Sequence, residues 1–307
     1  MADNYKRIDF RDQISRNKLK SFFLMGMIFV VFVLFGYVIS LAFEPGFFFI
    51  IMIVSIIFSL SYLLIGYYKS DKIAIASVKA KIANRNDHKQ YYNIVEGLTL
   101  ASGMPMPKLY IMPSSQINAF ASGRDPHNAV ICVTDGALDK LDKRELEGVL
   151  AHELSHVANY DIRYMTLVAV MVGMIAIVSQ IFLRSLWFRS GDDRSKGVFI
   201  LIGIIMAILA PIVVYLVQMA ISRKREFVAD ASAVKFTRYP GGLIRALKKI
   251  QADHAPSEKH RSVYSKERNS GAKISKAVAP LFFSNPFKGL RGTHPPLQKR
   301  IQVLERM

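Results

Sequence analysis

A single cysteine in 307 residues, Cys132, removes two classes of structure at once. An intramolecular disulfide framework is excluded, and so is a metal site built from cysteine, so any bound metal must be held by His and carboxylates. Acidic residues are scarce as well, 23 Asp+Glu against 41 Lys+Arg, for a formal net charge of +18. Charge of either sign is missing altogether from four windows, 21–43, 45–68, 164–183 and 197–222, which together hold 93 residues. All 64 charged residues therefore crowd into the other 214, which excludes a uniformly basic soluble protein. No internal repeat and no RNA- or DNA-binding signature appears. The basic excess is read as contact with anionic lipid and as a topology signal rather than as a nucleic-acid footprint.

About 20 apolar residues cross the hydrocarbon core as a helix, and each of the four windows reaches that length. The first follows a twenty-residue charged leader and ends with no small-x-small cleavage site before Pro45, so it is expected to stay in the mature protein. Six basic residues (Lys6, Arg7, Arg11, Arg16, Lys18, Lys20) precede it, whereas the turn Glu44-Pro45-Gly46 carries none. The positive-inside rule places the N-terminus and residues 69–163 in the cytoplasm. If the second pair also crosses, the chain from Arg223 is cytoplasmic too. Its connecting loop, 184–196, carries four basic residues, so a hairpin packed partly within the protein stands as the alternative to full crossing. Four parts result: a leader and first transmembrane hairpin (1–68), the first part of a cytoplasmic domain (69–163), a second hydrophobic hairpin (164–222) and the rest of that domain (223–307).

Residues 71–83 and 89–103 read as helices, the second stopping near Gly103 before Pro105. Short runs rich in Ile, Val, Tyr and Phe follow at Lys108–Met112, Gln116–Ala121 and Ala129–Thr134, separated by Pro-Ser-Ser and Gly-Arg-Asp-Pro, and predict a small sheet. Asp142 with Glu145 three residues on forms a capping-box pattern. Leu146, Val149, Leu150, Leu154 and Val157 follow at helical spacing, so a helix is expected from Asp142 past Tyr160. Another is expected over Ser222–Thr237, ended by Pro240-Gly241-Gly242. Residues 254–292, with eight basic and two acidic residues, read as loop-rich. The apolar island Pro280-Leu281-Phe282-Phe283 within it either dips toward the membrane, covers a cleft or packs on the domain.

His152-Glu153-Leu154-Ser155-His156 lies inside the helix that starts at Asp142. Residues i and i+4 share a helix face, so both imidazoles can bind one Zn²⁺ while Glu153 reaches a water beside it. Zinc acidifies water and polarises a carbonyl, and the carboxylate can carry a proton from that water to a leaving amine. This spacing is a known metalloprotease pattern, and composition alone gives roughly 0.005 occurrences in such a chain. A third ligand is required. Glu226 is the candidate, with Asp230 one turn on to accept a hydrogen bond from a ligand His. A surface ion pair of Glu226 with Arg223 or Lys224 is the competing reading. His88, His127, His254 and His260 have no partner at ligand spacing and are read as solvated.

The order of these parts resembles the HtpX-type membrane-embedded zinc metalloproteases, which are related to the prenyl-protein (CAAX) endopeptidases. The resemblance rests on the N-terminal hairpin, Asn118-Ala119-Phe120-Ala121, the His152–His156 motif, the second hydrophobic pair, Glu226-Phe227-Val228-Ala229-Asp230 and Thr293-His294-Pro295-Pro296 followed by Arg300. It implies a mainly α, polytopic membrane protein with two transmembrane hairpins and a zincin-like α+β metalloprotease domain. It implies one Zn²⁺ per chain on His152, His156 and Glu226, with Glu153 as general base and acid and Asp230 behind the ligands. Asn118, Ala119, Phe120 and Ala121 would line the substrate cleft, where an extended peptide adds as an edge strand. His294 would stabilise the oxyanion, unless it is only a polar turn residue before Pro-Pro, and Arg300 would pair with a carboxylate near the metal.

The activity implied is hydrolysis of polypeptides, chiefly misfolded or damaged membrane proteins, at the cytoplasmic face of the cell inner membrane, in quality control and stress response. Nine residues, about 13 Å if helical, separate His156 from Met165, and five, about 7.5 Å, separate Ile221 from Glu226, which would hold the metal near that face. A narrow processing protease acting on a CAAX-like C-terminus, and a non-catalytic membrane scaffold, are the alternatives. Partners are polypeptide substrates and the lipid bilayer, with no nucleic acid and no oligomeric state fixed.

Overall fold

The computed structural model describes residues 10–40, 45–169, 173, 223–253, 281–283 and 295–307. The second hydrophobic pair beyond residue 169 (apart from residue 173), the loop 184–196, most of the basic stretch 254–292 and His294 lie outside the described residues.

Two long apolar helices come first, α1 (Phe10–Ser40) and α2 (Phe48–Tyr68), the second entered from a short 3₁₀ turn at Pro45–Phe47. By length and composition, Ile14–Leu34 and Pro45–Tyr68 are each sufficient to cross a membrane. Helix α2 is inside-out relative to a soluble helix: its buried residues are Ser59 and Gly66, while Phe49, Ile53, Ile57 and Leu60 point outward. Small residues hold the pair together. Ser59 Oγ donates to the Phe29 carbonyl at 3.3 Å, and a Cβ at Gly36 would collide with the Ser55 side chain.

Helix α3 (Ser70–Ser77) is shorter than the 71–83 expected. Lys79 takes φ +54°, ending the helix, and Lys81–Ile82 forms strand β1 instead. Helix α4 (Lys89–Ser102) stops at Gly103, whose φ of +69° provides the left-handed C-cap. Strands β2 (Lys108–Met112), β3 (Ala119–Gly123) and β4 (Ala129–Thr134) complete a four-stranded sheet of order β1-β2-β4-β3. Only β2 and β4 run parallel. The run expected at Gln116–Ala121 enters the sheet two to three residues later, because Asn118 serves as its entry: its carbonyl takes the Thr134 N–H and its side chain takes the Ala119 N–H.

Both faces of the sheet are covered, so the strands read as nearly continuous apolar runs. Ala119, Ala121, Ile131 and Val133 face a core shared with α4 and the helices below. Phe120, Val130, Cys132 and Met112 face a second core that includes Leu24, Ile28 and Phe32 of α1, Ala74 and Ile75 of α3, and Val78 just after it. The first apolar helix is thus built into the domain rather than tethered to it.

After the short helix α5 (Asp135–Lys140), α6 (Lys143–Ala158) runs through the middle of the domain. Its capping box is complete: Asp142 accepts from the Glu145 N–H and Glu145 accepts from the Asp142 N–H, both at 2.8 Å. The helix does not continue past Tyr160 as expected. Tyr160 has φ +59°, which breaks it, and a new helix, α7, occupies 161–169. Helices α8 (Arg223–Thr237) and α9 (Pro240–Asp253) flank α6. Pro240 opens α9 instead of only ending its predecessor, since proline suits the first turn of a helix. Gly148 lets α6 and α9 touch: a Cβ there would sit 2.6 Å from the Leu243 nitrogen. Helix α10 (Leu297–Leu304) closes the chain against α8 and α9.

Candidate metal centre and active site

Helix α6 places His152 and His156 one turn apart and fully inside the protein, and α8 brings Glu226 against them. Ligand-capable atoms of the three all lie within 4.8 Å of one another. Among the described residues this is the group placed to hold a metal ion. His127 is exposed and His88 half-buried, both away from it.

Each imidazole is fixed from behind by an aspartate. His152 Nδ1 lies 2.9 Å from Asp230 Oδ1, and His156 Nδ1 lies 3.1 Å from Asp161 Oδ2. With each Nδ1 donating to its aspartate, both Nε2 lone pairs turn inward, where they meet at 3.2 Å; a terminal nitrogen of Arg300 also lies 3.2 Å from His152 Nδ1. Two facing lone pairs at that distance require a cation or a shared proton between them. Glu226 adds its oxygens at 3.7 Å from His152 Nε2 and 3.8 Å from His156 Nε2. Charge points the same way. Among the described residues, the buried carboxylates of Asp161, Glu153, Glu226 and Asp230 outnumber the buried guanidiniums beside them, Arg225 and Arg300, a balance that favours a bound cation. The donor set of two imidazoles and a carboxylate fits a borderline-soft metal.

On the protein's own charges, one proton belongs to this pair. Burial and the neighbouring Arg300 push His152 down to about 4. Burial lowers His156 too, but its bond to Asp161 and the carboxylates around it outweigh that and raise it to about 9. Glu153, beside the pair on the same helix, is pushed up to about 7, chiefly by burial, while the Ala121 amide of β3 hydrogen-bonds it and favours its ionised form. Asp230 is also penalised by burial, yet Arg300 and His152 hold it below the ordinary carboxylate range. Arg300 itself has no solvent exposure and grips Asp230 through two bonds, Nε to Oδ2 at 2.8 Å and a terminal nitrogen to Oδ1 at 2.6 Å. Its other terminal nitrogen lies 3.3 Å from Glu226.

The edge strand is adjacent. Asn118, Ala119, Phe120 and Ala121 are all buried, and Phe283 donates its N–H to the Ala119 carbonyl at 2.8 Å while Phe282 bridges Phe120. The apolar island at 281–283 therefore packs on the domain. The Phe283 ring stands edge-on to His152, with centroids 4.8 Å apart, and beneath the Arg300 guanidinium. Sequence reading missed Asp161, Arg225 and Phe283. The one available signal for Asp161 was a carboxylate just past the helix-stopping Asn159-Tyr160.

Residues 85–307 match the model of peptidase family M48. A protease HtpX homolog of Dictyoglomus thermophilum is 38% identical over 307 residues, covering 98% of this chain and 96% of that one. Another, of Thermoanaerobacter pseudethanolicus, is 42% identical over 259 residues, 81% and 82% of the two chains. Among solved structures, S. mikatae Ste24p aligns over 95% of this chain and 66% of its own with a TM-score of 0.49 at 19% identity. With the buried His152, His156 and Glu226 in place, the family model matched over 85–307 and the Dictyoglomus homolog matched over 98% of this sequence, the chain belongs to peptidase family M48, as an HtpX-type metalloprotease.

Proposed function

We propose that this protein is a multi-pass, zinc-dependent endopeptidase of the cell inner membrane. It cuts misfolded or damaged membrane proteins, or their exposed loops and tails, on the cytoplasmic side. The observation that carries the reading is the convergence of two Asp-backed Nε2 atoms and Glu226 beside a buried Glu153 of raised pKa. The membrane part is supported by the outward-facing apolar side chains of α2 and by the six basic residues ahead of the uncharged window 21–43.

His152, His156 and Glu226 would hold one Zn²⁺ per chain, which supplies Lewis acidity toward water and the scissile carbonyl. Glu153 takes a proton from the attacking water and returns it to the leaving amine, and a pKa near 7 suits both directions. Asp230 and Asp161 hold the imidazoles in one tautomer, and Arg300 keeps Asp230 ionised and in place. The Asn118–Ala121 edge is assigned to the substrate on the resemblance; Phe283 of the chain itself donates to the Ala119 carbonyl there, so an extended substrate strand would take that segment's place. His294 is assigned to the oxyanion on the resemblance of its Thr-His-Pro-Pro setting.

The test is to purify wild type and Glu153→Gln side by side, measuring zinc content and cleavage of an unfolded model protein and of a membrane protein with an unfolded cytoplasmic tail. Both should hold about one zinc per chain, and only wild type should cleave. Cleavage by the glutamine variant would remove Glu153 from its role. Zinc in both with cleavage in neither would favour the scaffold, and cutting confined to one defined C-terminal sequence would favour the processing enzyme.

A further inference from the structure

Beyond the ligands themselves, a second set of buried polar groups connects the metal centre to the first apolar helix. Asp161 is fully buried directly after the break at Tyr160, which swings its carboxylate back toward α6. Its Oδ2 takes the His156 Nδ1 proton at 3.1 Å. Its Oδ1 takes an N–H from the Asn17 side chain at 2.7 Å and faces Arg225 Nε at 3.6 Å. Asn17 lies on α1, is 4% exposed, and spends its other amide hydrogen on the Asn159 carbonyl at 3.0 Å. One side-chain amide from near the cytoplasmic end of the membrane hairpin thus pins both the helix-ending turn and the carboxylate that orients a metal ligand. The surrounding contacts repeat the connection, with the Lys18 ammonium 4.4 Å over the Tyr160 ring and the Arg163 guanidinium over Tyr160 and Tyr67.

We propose that Asn17 is a positioning residue for the metal centre, acting through Asp161 to fix the ring of His156, so that the geometry of the first membrane helix is built into metal affinity. The physical argument is one of alternatives. A carboxylate offers several lone-pair directions, and Asp161 could meet His156 in more than one orientation if its other oxygen were free to turn toward Arg225 alone. With Asn17 holding Oδ1 from one side and the Tyr160 break holding the backbone from the other, one orientation remains, and His156 Nε2 is aimed before any ion arrives. Groups immediately behind a metal ligand are worth about 10- to 100-fold in affinity. Asn17 stands one bond further back, so a loss of about 3- to 20-fold is expected from removing its amide, scaled down from that range.

The inference rests on the proposed role of His156 as a ligand, and the experiment separates the two. Full-length wild type, Asn17→Leu, Asp161→Asn, the double variant and His156→Ala are prepared in lipid nanodiscs. Zn²⁺ affinity is measured by competition with a chromophoric chelator, and the visible bands of the Co²⁺-substituted proteins are recorded. Asn17→Leu should weaken zinc by about 3- to 20-fold and alter the Co²⁺ bands. The double variant should bind zinc no more weakly than Asp161→Asn alone, because Asn17 acts only through Asp161. Asn17→Ser, which removes the amide without adding apolar bulk, repeats the measurement if leucine prevents folding. Unchanged affinity in the Asn17 variants, or losses that add in the double variant, overturn the inference while leaving the site assignment standing. Zinc bound by His156→Ala as tightly as by wild type overturns the site assignment itself.

Discussion

Replacing Arg300 by methionine separates the stability of the site from its metal chemistry. The guanidinium is wholly buried, makes two short bonds to Asp230 and lies 3.3 Å from Glu226. Methionine fills most of the volume and leaves two buried carboxylates without their cation. Breaking a buried pair by removing one partner costs about 3–5 kcal/mol, because the orphaned charge remains. At about 2–4 °C per kcal/mol for a domain of this size, thermal unfolding in the presence of a chelator should fall by about 6–20 °C. Lysine should recover only part of the loss, since an ammonium cannot reproduce the two-pronged grip. Pairing Arg300→Met with Asp230→Leu should restore much of the stability, as buried ion pairs replaced by apolar groups often do. Zinc affinity should stay depressed in that double variant, because His152 Nδ1 has lost its acceptor. Unfolding of Arg300→Met within about 2 °C of wild type would refute the argument that this cation offsets the buried carboxylates.

Three further outcomes follow from other parts of the molecule. Hydrolysis needs Glu153 ionised, and its pKa is raised to about 7 by burial, so the rate should fall as pH drops through or below that value. A bound divalent cation favours the carboxylate and can only move this limb to lower pH, so a rate that begins to fall on acidification already well above 7 would place the limiting group elsewhere. Gly148→Ala should destabilise by about 1–3 kcal/mol in a denaturation series, because its Cβ meets the α9 backbone, which cannot yield as a side-chain tip can. Asp142→Ala should cost about 1 kcal/mol by removing half of the capping box, and it should leave zinc content unchanged, since the cap sits at the far end of α6 from His156.

What could be read in the sequence is what depends on local geometry. The i, i+4 spacing of His152 and His156, the Asp142–Glu145 cap and the strands at Lys108–Met112 and Ala129–Thr134 all follow from periodicity and nearby side chains. Failures occur where a single residue in the left-handed region ends an element. Lys79 turns the end of an expected helix into β1, and Tyr160 breaks α6 where propensity alone would carry it on. The partners of the ligands were legible only in part. Asp230 shares a helix face with Glu226, and the resemblance pointed to Arg300, whereas Asp161 reaches His156 because of the break at Tyr160. Asn17 reaches Asp161 across 144 residues, a contact that no local pattern encodes.

The second core has a consequence for how freely the parts of this molecule can be exchanged. Leu24, Ile28 and Phe32 of the first helix pack with Met112, Phe120 and Cys132 of the sheet. Substituting an unrelated anchor for the hairpin would withdraw these side chains, each worth about 1.5–3 kcal/mol when buried, and bare one face of the sheet that supports the metal-bearing helix. Anchor and enzyme therefore have to change in concert, and a hairpin borrowed from another protein would need compensating substitutions across that sheet face.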